Sequence, residues 1–102
     1  MTIYLLKQEN TNLYKIGITK KNPKLRILQL QTGNAIPLIL VETFETKHDF
    51  KMEKCLHAEF SLKQKIGEWF ELDDYEVDSF FDICSRKEET LNFLKKNNHF
   101  WQ

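Results

Sequence analysis

Apolar and polar positions divide the chain into short, well-punctuated segments. Thr2–Gln8 carries Ile3, Tyr4, Leu5 and Leu6, and Leu13–Thr19 reads Leu-Tyr-Lys-Ile-Gly-Ile-Thr. The polar link Glu9-Asn10-Thr11-Asn12 between them predicts an antiparallel hairpin. Gly17 interrupts the second strand; a glycine there marks a bulge or a group that must approach the backbone closely. Asn22-Pro23 then supplies an N-cap and a first helical residue, and Gly33-Asn34 a stop. In that helix Leu25, Leu28 and Ile27 are expected to face a core, with Lys24, Arg26, Gln29 and Gln31 on the remainder.

Pro37 admits a third strand, Leu38–Phe44. Thr46-x-x-Asp49 reads as a shortened capping box for a second helix whose buried stripe is Phe50, Met52, Leu56 and Phe60. Lys63-Gln64-Lys65 is a basic link into Gly67-Glu68-Trp69-Phe70, where the glycine releases the chain. Beyond Asp73 the apolar residues Tyr75, Val77, Phe80, Phe81, Ile83, Cys84, Leu91, Phe93 and Leu94 give two helical segments, or one broken near Ser85. Residues 97–102 are expected to fray unless Phe100 and Trp101 dock. The fold class is α/β (α+β): a small three-stranded antiparallel sheet flanked by helices.

Composition narrows the class. At 102 residues with 41% apolar content, the chain can bury one modest core as a single compact domain. The longest apolar run, Ile36 to Val41, contains a proline and is too short to cross a bilayer. The start has no basic lead, so no secretory signal is expected. Cys55 and Cys84 stand in no metal or redox spacing and read as reduced thiols of a cytoplasmic protein. Net charge is zero, but it is split: residues 1–70 hold 11 Lys/Arg against 7 Asp/Glu, and residues 71–102 hold 4 against 8. A basic working face with an acidic tail covering another side fits this division.

Candidate chemistry begins on the second helix, where Glu53 and His57 stand four residues apart on one side. A fixed carboxylate suits Mg²⁺, which takes one or two protein carboxylates and keeps several waters. The same pair also reads as an ordinary solvated helix-surface contact, and the spacing is not a zinc signature. Arg26, preceded by Lys20, Lys21 and Lys24, suits a phosphodiester and the charge that builds on it during hydrolysis. Tyr4 is either core or, beside a metal, a group that orients water.

In order along the chain, these residues resemble the GIY-YIG nuclease family, in the compact phage and mobile-element branch whose second tripeptide reads Lys-Ile-Gly. The resemblance spans residues 2–72. Thr2-Ile3-Tyr4 stands at the first tripeptide and Lys15-Ile16-Gly17 at the second. Arg26 falls at the phosphate-facing arginine, Glu53 at the metal-binding glutamate, and Gly67-Glu68-Trp69-Phe70 at the closing motif of the branch. Thr2 replaces a glycine, and Lys15 replaces a tyrosine often given a proton-transfer role. Tyr14, next to it, points to the opposite face and cannot substitute.

The resemblance implies an endonuclease that hydrolyses DNA phosphodiester bonds with one Mg²⁺ or Mn²⁺ ion and low sequence specificity. It places the metal on Glu53, charge stabilisation on Arg26, water activation on Tyr4, a cation or base at Lys15 and an assisting imidazole at His57. Lys20, Lys21, Lys24, Lys63 and Lys65 are the expected phosphate contacts; Gly17, Gly67, Glu68 and Trp69 are motif or structural residues. Branched and single-stranded DNA both stay open as substrates, as does a homodimer. The core is expected at 1–72 and a helical extension at 73–102, whose acidic surface is a candidate for a protein partner. The alternative is a weakly active or inactive module of the same fold that binds nucleic acid or protein.

Overall fold

The computed structural model describes residues 1–97, the Asp49 side chain apart; the expected fraying of the last residues lies outside this range beyond Asn97. The first two strands form as the hairpin pattern predicts: β1 (Thr2–Gln8) pairs antiparallel with β2 (Leu13–Thr19), and β3 (Leu38–Glu45) pairs with the other edge of β1. The expected three-stranded sheet is in fact five-stranded, in the order β3-β1-β2-β5-β4. The added strands are β4 (Gln64–Ile66) and β5 (Trp69–Glu71), a hairpin turning on Gly67 and Glu68. Gly67 has φ +55°, which glycine adopts without strain. Without β5 the outer edge of β2 would leave its backbone groups unpaired from Leu13 to Lys15; β5 takes them up.

Helix α1 (Pro23–Gln31) starts at Asn22, whose side chain accepts from the Lys24 N–H. It packs on β3 and half-buries Ile27 and Leu30, but the expected inward Leu25 and Leu28 are 55% and 65% exposed. Helix α2 (Asp49–Glu59) takes His48 as its N-cap rather than the expected Thr46, and the Asp49 half of the expected capping box lies outside the described side chains. The Thr46 hydroxyl instead donates to Glu88 at 2.6 Å and accepts from the His48 N–H at 3.1 Å, tying α2 to the last helix. The acidic segment forms α3 (Asp74–Asp78), closed at its start by a real capping box from Asp73 and Glu76, then α4 (Phe80–Asn97). The break falls at Ser79, and Ser85 lies inside an unbroken helix.

Strand alternation sorts the sheet into two faces. Ile3, Leu5, Tyr14 and Ile16 join Met52, Leu56 and Phe60 of α2 and Phe80, Cys84 and Leu91 of α4 in the main core. Tyr4, Leu6, Lys15 and Gly17 lie on the opposite face. Cys55 and Cys84 are both free thiols, and burial pushes the Cys84 thiol up to about 12.

Candidate active site

Gly17 sits opposite Tyr4 in the β1–β2 register. A Cβ on Gly17 would overlap the Tyr4 ring and hydroxyl, so this is the close approach the glycine signalled. Tyr4 is 2% exposed. Its hydroxyl makes no hydrogen bond among the described residues, and no sealed side-chain polar atom there lacks a partner.

Two residues back on β2, Lys15 points to the same face. Its ammonium is 2.7 Å from the Glu68 carboxylate and 5.8 Å from the centre of the Trp69 ring, its cross-strand neighbour. Glu68 is held in place from the main chain as well, since its carbonyl accepts from the Ile16 N–H at 3.2 Å. At this point β5 leaves the edge of β2, and α2 closes the gap. His57 Nε2 lies 2.9 Å from the Ile16 carbonyl. A carbonyl can only accept, so Nε2 carries the hydrogen of this bond and Nδ1 is the ring nitrogen left for another partner.

Among the described residues, Glu53, His57 and Glu68 each offer a ligand atom, and these atoms lie within 4.8 Å of one another. Two carboxylates and an imidazole at this spacing suit a hard divalent cation. Burial pushes the Glu53 carboxyl above its ordinary value, the neighbouring Glu68 charge adds to this, and His57 and Lys15 pull it part of the way back. A cation between the two acids would relieve the same repulsion.

The upward shift of Glu53 has a thermodynamic sign. A group with a raised folded-state pKa contributes stability that is present below its unfolded pKa and lost as pH rises through the folded one. Glu53 therefore weighs against the fold at neutral pH. In chelator, Glu53→Gln is expected to melt above wild type at pH 7, with the gap closing near pH 4, where the glutamate is itself protonated. A gap that is the same at both pH values would contradict the shift.

Arg26 is not part of the acidic cluster. It lines a cleft of 290 Å³ with Thr19, Lys20, Lys21, Gln29 and Phe50, and its Nη1 lies 3.4 Å from the Gln29 side-chain oxygen. Phe50 and Glu53 are three residues apart on α2, so cleft and cluster share one side of that helix. Lys24 is exposed on α1, the helix that carries Arg26, whereas Lys63 and Lys65 pair with Glu76 at 3.3 Å and Glu71 at 3.5 Å.

Glu68 is the group that sequence reasoning assigned too small a part. It read as a motif residue, yet its carboxylate links Lys15 on one face of the sheet to Glu53 and His57 on the helix covering the other. A signal was available: Ile66-Gly67-Glu68-Trp69 is a two-residue glycine hairpin between apolar residues, and that turn carries Glu68 back beside β2.

The comparisons with known proteins add one match. A family model, the T5orf172 domain, matches residues 1–85. No curated protein and no solved structure matches the chain.

Proposed function

The chain belongs to the T5orf172 domain family, and from that premise we propose that it is a divalent-metal-dependent endonuclease hydrolysing DNA phosphodiester bonds with little sequence preference. The domain is found in phage and mobile-element nucleases. In this reading the kinship is to the GIY-YIG enzymes, with residues 1–72 as the catalytic core and 73–102 as its helical cover. The observation that carries it is the convergence of Glu53, His57 and Glu68 at the edge of β2, beside Lys15.

Glu53 would hold the ion, with Glu68 and His57 beside it. A divalent ion there supplies Lewis-acid stabilisation of the charge that develops on the phosphate. The Arg26 guanidinium, a planar fork of donors, grips a phosphate oxygen pair and stabilises the charge that builds on it. The Tyr4 hydroxyl, set against Gly17, would accept a hydrogen bond from the attacking water and orient it. Lys15, held at 2.7 Å by Glu68, adds a fixed positive charge near that water. The bond from Nε2 to Ile16 fixes the His57 ring and leaves Nδ1 as the nitrogen that would assist at the ion.

The test is incubation of plasmid and branched DNA with the full chain in Mg²⁺ or Mn²⁺. Cutting that stops on addition of EDTA supports the proposal. Binding that needs no metal and falls steeply with salt, without cutting, favours the non-catalytic module. The observation on that side is that Lys15 occupies the tyrosine position and is already committed to an ion pair.

A further inference from the structure

The cleft beside the acidic cluster has a floor that the sequence pattern does not anticipate. Phe50 was expected in the buried stripe of α2, but it is 60% exposed and lines the cleft with Lys20, Lys21, Arg26 and Gln29. Among the described residues its charged side chains are the three cations Lys20, Lys21 and Arg26. An aromatic ring open to solvent and rimmed by cations is the combination that binds unpaired nucleotides: the ring stacks on the flat face of a base while the cations hold the flanking phosphates. Gln29 adds an amide able both to donate to a base edge and to accept from one.

Size and position narrow the ligand. At 290 Å³ the cleft is at the small end of ligand sites, which run from about 300 to 1,000 Å³. That suits one nucleotide unit. A duplex would not present the required surface, because its base faces are covered by their neighbours in the stack. Along α2, Phe50 precedes Glu53 by three residues, a rise of about 4.5 Å. A base stacked on Phe50 therefore sits about one helical turn from the acid.

We propose that this cleft seats one unpaired nucleotide of a DNA strand, its base on Phe50 and its phosphate on Arg26 and the two lysines. The substrate class is then DNA with an unpaired nucleotide at the cut, such as a single strand, a flap or a branch. The cleavage part of this rests on the nuclease reading; the binding part does not.

Fluorescence anisotropy in EDTA separates the two. The full chain is titrated into a labelled single-stranded DNA of about twelve nucleotides, within the usual site size, and into the blunt duplex of the same sequence. Phe50→Ala is expected to lower the ratio of single-strand to duplex affinity about tenfold, as loss of one stacked base does. Phe50→Trp is expected to keep that ratio at or above the wild-type value. Equal weakening on both DNAs, no weakening on either, or a Phe50→Trp variant that behaves like the alanine one would each overturn the proposal. A failed nuclease reading appears only as absent cleavage in metal and leaves these affinities untouched.

Discussion

Glu53→Ala is expected to lower metal-dependent cleavage of branched DNA by about 10³-fold, the scale of losing several kcal/mol of charge stabilisation. Arg26→Ala is expected to cost about 10²-fold, in line with removing one preorganised donor to a charge-bearing oxygen. The two differ because Glu53 sits within a group of three possible ligands, whereas Arg26 lies in the adjoining cleft and, in the proposed mechanism, would contact the phosphate alone. Initial rates on a labelled junction at saturating Mn²⁺ measure both. Unfolding is a poor explanation for the loss, since Glu53→Gln is expected to be as inactive while melting above wild type at neutral pH. Cleavage that persists in both Glu53→Ala and Arg26→Ala would place the chemistry elsewhere on the chain.

The second large effect concerns stability. Gly17→Ala in a strand would ordinarily gain about 0.5–1 kcal/mol from the glycine's lost backbone freedom. Here the new methyl group meets the Tyr4 ring, and a ring that is 2% exposed has little room to yield. Overpacking costs about 1–3 kcal/mol and more when the neighbour is held, so the steric term wins. A net loss of about 3 kcal/mol is expected, which lowers the melting temperature by about 12 °C or more in a domain of this size. Adding Tyr4→Leu should restore part of it, because contacting residues couple by about 0.5–3 kcal/mol in a double-mutant cycle. Strict additivity of the two substitutions would show that the ring and the glycine do not meet in solution.

Local chemistry decided much of the framework before any packing was considered. The first hairpin, the Asn22-capped helix and β3 follow from period, turn residues and caps, all of which act within a few residues of one another. Gly17 likewise announced a close approach, although the group that approaches comes from the other strand of the hairpin. The polar β4 was hidden because a three-residue strand such as Gln64–Ile66 has almost no periodicity of its own. It exists because β5 completes the edge of β2 and β4 pairs with β5. Ser85 looked like a break and lies inside α4, since that helix is held by Phe80, Cys84 and Leu91 in the core.

For the candidate site, the chain alone determined which residue types were on hand: a tyrosine, a lysine, an arginine, a histidine and glutamates in a family-like order. Tertiary structure decided their company. It joined Glu68 to Glu53 and His57, tied Lys15 to that acid, and set Arg26 one compartment away beside an exposed Phe50. Side-chain periodicity says which way a residue points from its own element, but not what another element brings to meet it. That depends on where β5 ends and α2 crosses the sheet edge, and these are properties of the packed whole.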